Sequence, residues 1–304
     1  MIITKKPANP AGHCLPFRYF PRARDAFEFA LRQKVARGRP LLIPAYIGWG
    51  KVEGSGVFDP VRSAKKSFLF YRMNERLEID VASVRALLAR NPRAVLLLIH
   101  YFGFKDPSVA SIKEWAAARD CLVVEDFAHG LFTFLASPVV DFDYAFFSLH
   151  KMLPYRNRTG GLLLSRHRVG RAKEYAGFYK YNLGFIAKRR RENYLAALER
   201  LEKVAPSGLT ILRPELGENV PESLPILLEN RETRDLVHAR MNAAGFGLIS
   251  LYHQLIPEID ETFGVERRIS DRITNLPIHQ DADPAQIRPM VDRLCAILEK
   301  IGSA

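Results

Sequence analysis

Val123-Val124-Glu125-Asp126-Phe127-Ala128-His129-Gly130, joined further on by Phe147-Ser148-Leu149-His150-Lys151, is the stretch of this 304-residue chain from which the fold can be read. Each half starts as an apolar run and ends on polar groups: an acid after the first, a serine and a lysine after the second. Short continuous runs of Val, Leu, Ile and Phe are strands buried on both faces. Ala94 to Ile99, closed by His100, is another such run, and Gly161 to Leu164 one more. A helical pattern from Val109 to Arg119 separates the strand at Ala94 from the one at Cys121 to Val124. Strand and helix therefore alternate, which predicts an α/β fold with a mostly parallel sheet flanked by helices. In such sheets ligands collect beyond the carboxyl ends of the strands, where His100, Asp126 and Ser148 fall.

Working outward, Arg22 to Val35 reads as a helix after an irregular start, with Ala26, Phe27, Ala30 and Leu31 on one face. Leu41 to Pro44 is a short buried strand that runs into a loop holding Tyr46 and Trp49, and Ser67 to Tyr71 is a further strand. Asp80 is placed to cap a helix that turns Val84, Leu87 and Leu88 inward. From Arg189 the pattern changes. A long helix to about Val204 is followed by strands near Thr210 to Leu212 and at Leu224 to Glu229, a helix from Glu232 to Ala244, a strand from Gly247 to Tyr252 and a last helix from Pro284 to Ile301. This predicts a large α/β domain over residues 1–187 and a smaller C-terminal α+β domain over 188–304, packed closely together.

Composition narrows the function. With 48% hydrophobic and 26% charged residues the chain is an ordinary globular protein. Its net charge of +12 invites a nucleic-acid reading. The basic residues are scattered, however, and the densest run, Lys188 to Arg191, opens a predicted helix as a solvated face. An anionic small molecule is the better match. Cys14, Cys121 and Cys295 lie far apart and form no metal-ligand spacing, so neither a disulfide framework nor a metal is expected. The longest apolar stretch, Ala94 to Phe104, contains His100 and is too short to span a bilayer. No apolar leader follows Met1, and a cytoplasmic location is expected.

An acid, a serine and a lysine at neighbouring strand ends are what pyridoxal phosphate requires. It uses a lysine amine for a Schiff base, a carboxylate to keep its ring nitrogen protonated, and donors for its phosphate. Taken singly, Asp126 also reads as a helix cap, His129 as a satisfied buried histidine and Lys151 as a surface lysine. The last is poorly served by a place directly after an apolar strand and before Met152-Leu153-Pro154.

An ordered series of motifs goes further. Pro21-Arg22-Ala23-Arg24-Asp25-Ala26, Ile43-Pro44-Ala45-Tyr46, Ile99-His100-Tyr101-Phe102-Gly103, Val124 to His129, Ser148-Leu149-His150-Lys151, Gly160-Gly161, Arg191-Glu192-Asn193 and Leu276-Pro277-Ile278-His279 resemble, in that order, the markers of the DegT/DnrJ/EryC1/StrS family of pyridoxal-phosphate sugar aminotransferases. The resemblance covers most of the chain and implies the aspartate-aminotransferase fold, fold type I. It also implies that Lys151 holds the cofactor and carries the proton, that Asp126 faces the pyridine nitrogen, and that His129 lies near the ring. Ala23, Arg24 and Asp25 with Ser148 would take the phosphate, Arg22 or Arg24 standing in for part of the family's Ser-Gly contact. Trp49 or Tyr46 would stack on the ring, and Asn182 would reach the phosphate of a neighbouring protomer, which requires a homodimer with the active site at its interface.

The implied reaction moves an amino group from an amino acid such as glutamate to an anionic, nucleotide-linked keto sugar, favoured by Arg156, Arg158 and Lys180. The sequence departs from the family after Asn182, where it is short, and at Lys151, which follows Ser148 by three positions with His150 in the place of an arginine. A dehydratase or lyase using the same cofactor, and a non-catalytic binding protein on the same fold, are the competing readings. The retained set of Asp126, His129, Ser148 and Lys151 favours the aminotransferase.

Overall fold

A computed structural model describes residues 15–154, 160–170 and 180–302. The chain enters as β1 (Phe17–Phe20) and α1 (Ala23–Arg32), whose Ala26, Phe27, Ala30 and Leu31 are buried as their spacing predicts. β2 (Leu41–Pro44) is wholly buried. After α2 (Phe58–Ser63) and β3 (Phe68–Tyr71), Asp80 caps α3 (Val81–Arg90), its carboxylate accepting from Ser83 N at 3.0 Å. The chain then runs through β4 (Val95–Ile99), α4 (Val109–Ala117), β5 (Leu122–Asp126), α5 (Leu131–Ala136), β6 (Tyr144–Ser148), α6 (Leu149–Met152) and β7 (Gly161–Ser165).

These seven strands form one sheet in the order β1-β7-β6-β5-β4-β2-β3. The pairs from β6 through β5, β4 and β2 to β3 are parallel, while β7 runs antiparallel to β6 and β1 antiparallel to β7. Every residue of β4, β5 and β6 is buried, which demands cover on both faces and explains why their sequences lack alternation. The register sets Ile99 opposite Asp126 and Asp126 opposite Phe146. The carboxyl ends of β4, β5 and β6 thus finish on one edge.

The later residues form α7 (Leu183–Val204), β8 (Thr210–Ile211), β9 (Ser223–Leu227), α8 (Arg231–Ala243), α9 (Gly264–Arg272), β10 (Ile273–Pro277) and α10 (Pro284–Gly302). Their strands make a second, antiparallel sheet in the order β10-β9-β8.

β1, α2, α5, α6 and α9 have no counterpart in the sequence expectation, and three further elements differ from it for physical reasons. α7 starts at Leu183 rather than Arg189, because the Asn182 side chain caps it, accepting from Phe185 N at 3.0 Å, while Gly184 in the first turn hides the helical pattern. Gly247 to Tyr252 is not a strand. Only Ile249 bridges to Asn275, and Gly247 and Tyr252 take φ values of 60° and 61°, which no extended chain can adopt. β10 goes unread in the sequence because Thr274 and Asn275, both polar, are fully buried in it.

One junction joins α1 to the sheet. A Cβ on Gly161 would lie 2.3 Å from Arg22 O and 2.8 Å from Ala23 N, so only glycine lets the start of α1 meet β7. Gly160 N donates to Pro21 O at 2.6 Å, and Leu149 N donates to Gly160 O at 2.9 Å. The beginnings of α1, α6 and β7 are therefore held as one unit. Gly161→Ala is expected to cost about 2–3 kcal/mol of stability through overpacking, read from denaturant unfolding.

Candidate active site

Asp126 is the last residue of β5 and is only 5% exposed. Its Oδ1 accepts from Ala128 N at 2.7 Å. Burial pushes its pKa up to about 6, against the partial relief of that hydrogen bond and of the charges on Lys151 and His100. Among the described residues no cation lies within ion-pair distance of it.

The turn after β5 brings back His129, which is buried between the rings of Phe102 and Tyr252, with centroids at 6.4 and 6.3 Å. Burial first, and then the charge of Lys151, holds its pKa well below the usual histidine range. The imidazole is neutral at neutral pH, and Nε2 accepts from Lys151 Nζ at 2.7 Å.

Lys151 is exposed on α6, which begins immediately after Ser148 at the end of β6. Its carbonyl is approached at 3.5 Å by Nη2 of Arg190, a buried residue of α7. Arg190 also donates to Gln280 Oε1 at 2.9 Å, Glu222 O at 3.1 Å and Pro221 O at 3.4 Å. Burial lowers its pKa to about 10, which leaves it charged at neutral pH. Ser148 Oγ lies 3.2 Å from His150 Nδ1.

Ser148 pairs with Gly161 in the sheet, and Gly161 abuts Arg22 and Ala23, so the start of α1 stands beside the end of β6. The three residues expected to hold a phosphate there behave differently. Ala23 is set against Gly161. Arg24 turns away, donating to Glu53 O at 3.0 Å and pairing with Asp59 at 3.4 Å. Asp25 closes its own helix, accepting from Arg22 N at 3.0 Å and from the Arg22 guanidinium at 3.1 Å.

The two candidate stacking rings also separate. Tyr46 has no exposed surface and lies in the core, its ring stacked on Tyr252 at 5.0 Å. Trp49 is 41% exposed but lines another cavity, of about 520 Å³, together with Arg231, Arg234, His253 and Ile256. Asp126, His129 and Lys151 do not line that cavity. Asn182 is exposed at the start of α7, and Lys180 is exposed just before it. Arg156, Arg158 and Cys14 lie outside the described residues.

The sequence reading missed the support behind the acid. His100 Nε2 lies 2.7 Å from Glu125 Oε2, and its ring stacks on Phe127 at 4.0 Å. Glu125 also pairs with Lys113, which reaches Asp141 Oδ1 at 2.5 Å. Strand alternation sends Glu125 to the face opposite Asp126. The adjacent acids Glu125 and Asp126, with a histidine ending the next apolar run, were the available signal.

The mostly parallel seven-stranded sheet with its flanking helices gives the chain a fold similar to that of solved aminotransferases. Helicobacter pylori PseC, an aminotransferase involved in the biosynthesis of pseudoaminic acid, is similar with a TM-score of 0.72 at 14% identity, over 93% of this chain and 87% of that one. A DegT DnrJ EryC1 StrS aminotransferase from Brucella abortus gives 0.70 at 14% identity, over 93% and 86%. Spr1654 from Streptococcus pneumoniae in its PLP form gives 0.71 at 14% identity, over 94% and 87%. No family model matches the chain, and a search of curated proteins finds no match.

The raised pKa of Asp126 has a measurable consequence. A carboxyl whose pKa moves from 3.8 to about 6 on folding supports the fold fully below pH 3.8, and that support is lost as pH rises through 6. Without cofactor, the stability difference between Asp126→Asn and the native protein should therefore shift by about 3 kcal/mol in favour of the variant between pH 3 and pH 7. Urea unfolding at the two pH values measures it.

Proposed function

We propose that this protein is a pyridoxal-phosphate-dependent aminotransferase. In this reading it takes an amino group from an amino acid such as glutamate and delivers it to a nucleotide-linked keto sugar, working as a homodimer in the cytoplasm. The observation that carries the reading is the Lys151–His129 pair set beside the buried Asp126 at the carboxyl edge of the parallel strands.

The residues present fit the cofactor. Asp126 is a carboxylate made costly by burial and, among the described residues, without a cation at bonding distance, and a protonated pyridine nitrogen is the group that would relieve it. Pyridoxal phosphate, when bound, supplies an electron-withdrawing ring that eases loss of a proton from the carbon bearing the amino group. Lys151 is the exposed amine that would hold it, and that would carry the proton once released. His129, neutral and accepting from Nζ, keeps the lysine at this edge without adding a second positive charge. Ser148 and the first turn of α1, ten residues long, would face the phosphate.

The similarity to PseC and to the PLP form of Spr1654 supports the assignment of reaction and cofactor. A net charge of +12 suits an anionic acceptor. Asn182 is our candidate for the contact across a homodimer. Lys151, and not His150, is the side chain bonded to His129, whereas His150 lies against Ser148, which favours transfer chemistry over a dehydratase built on histidine. No described helix is long and apolar enough to cross a membrane.

Titration of the purified protein with pyridoxal phosphate should give a visible absorption band, and borohydride should then fix the cofactor to the Lys151 peptide. Lys151→Ala should show neither the fixed label nor amino transfer from any donor to a panel of keto sugars. A colourless native protein with an unmodified Lys151 overturns the reading.

A further inference from the structure

The cavity of about 520 Å³ that Trp49 lines is in the size range of small-molecule sites, and Asp126, His129 and Lys151 do not line it. Four segments remote in the chain enclose it. Asn230 caps α8, its side chain accepting from Thr233 N at 2.8 Å, and the three-residue spacing of Arg231 and Arg234 sets both on one face of that helix. In α9 the spacing of Arg267, Ser270 and Asp271 does the same. The segment after His253 is zipped to the loop after β2: Trp49 N donates to Gln254 O at 3.0 Å and Ile256 N donates to Ile47 O at 3.0 Å. This brings the exposed indole of Trp49 to the cavity, where Leu255, Ile256, Pro257 and Ile259 add an apolar lining.

Arg234 is the group that asks for a ligand. It is only 4% exposed. Its Nε donates to Asp235 Oδ1 at 2.7 Å and its Nη1 to Ser270 O at 2.8 Å, while Nη2 has no acceptor among the described residues. A charged donor held out of water without an acceptor is costly. A carboxylate is the group whose geometry matches a guanidinium edge.

The rest of the lining argues against a highly charged anion. Arg231 Nε donates to Asp271 Oδ1 at 3.0 Å, and Arg267 pairs with Glu261 at 2.9 Å, so each of the three arginines already has an acid beside it. Burial first, and then the charge of Arg234, brings the pKa of His253 down to about 3, so this ring adds no positive charge at neutral pH. A phosphate dianion would unbalance such a lining, whereas a ligand carrying one carboxylate and one ammonium leaves it balanced. Oδ2 of Asp235 and Oδ2 of Asp271 are open to the ammonium, since the described bonds of both residues use Oδ1.

We propose that this cavity is a binding site for a free α-amino acid with a large apolar side chain, the carboxylate held by Arg234, the ammonium by Asp235 and Asp271, and the side chain by Trp49, Leu255 and Ile256. The site is separate from the lysine edge, and the inference does not depend on the reaction assigned above.

Isothermal titration calorimetry with L-phenylalanine, run at pH 7 on the native protein and on Lys151→Ala, tests it. Both should bind with the same affinity, because the cavity does not include the lysine. Phenylacetate, which lacks the ammonium, and phenethylamine, which lacks the carboxylate, should each bind at least about tenfold more weakly. Arg234→Lys, which keeps the charge without the planar edge, should weaken phenylalanine binding about tenfold, and Trp49→Leu about fivefold, with circular dichroism as the folding control. Trp49 is exposed, so its variant carries the test if Arg234→Lys fails to fold. Absence of phenylalanine binding to the native protein, its loss in Lys151→Ala, unchanged affinity in Trp49→Leu, or saturation by uridine monophosphate or inorganic phosphate in place of the amino acid overturns the inference and leaves the aminotransferase reading standing.

Discussion

Parallel register between β4, β5 and β6 is the constraint on which the candidate site depends. Because Ile99 stands opposite Asp126 and Asp126 opposite Phe146, three segments distant in sequence end together. The turns that leave those ends carry His100, His129 and Lys151. A slip of one residue in any pair would turn Asp126 toward the other face of the sheet and put Glu125 in its place. The apolar residues of the three strands resist such a slip only weakly, since they suit either face. The hydrogen-bonded groups at the strand ends resist it strongly: His100 with Glu125, Asp126 with Ala128 N, and His129 with Lys151.

Behind this edge lies a buried ionic chain, Lys113–Glu125–His100, with Asp141 at its outer end. Buried ion pairs contribute little net stability once desolvation is counted, but breaking one leaves an uncompensated charge. The chain therefore serves the site by fixing geometry. Without His100, which is also stacked on Phe127, Glu125 Oε2 would lose its partner in the interior and the carboxylate would keep only Lys113. The strand end next to Asp126 is held from the far side of the sheet, away from the space a ligand needs.

Most of the fold was legible because its signals are local. Apolar runs without alternation gave β2, β4, β5, β6 and β7 to within a residue or two, and Asp80 capped α3 as its side chain predicts. The strand-end residues Asp126, His129, Ser148 and Lys151 were legible for the same reason. What stayed hidden depends on contacts between remote segments. Asp25 is spent on Arg22 and Arg24 on Glu53 and Asp59, choices set by where α1 docks. Tyr46 reads as a free ring after a strand until Tyr252 is seen to cover it. The strand expected at Gly247 to Tyr252 had suitable residues, yet two left-handed backbones inside it follow from the pairing of residues 254–256 with 47–49 and leave no local trace. Gly48, in a loop already dense with aromatic residues, was the one sign that another ring must fit there.

Arg190 gives the two sheets a mechanical relation. Its guanidinium spends its donors on carbonyl groups of Lys151, Pro221 and Glu222 and on the side chain of Gln280, and it does so charged and out of water. Such a hub cannot release one partner cheaply, because a charged donor left without an acceptor in the interior loses more than a neutral one. Residues 221–222 lead into β9 of the second sheet, and Gln280 follows its β10. The backbone of Lys151 is thus geared to the second sheet through a single rigid plane, and a displacement of that sheet is transmitted to its amine as a change of reach.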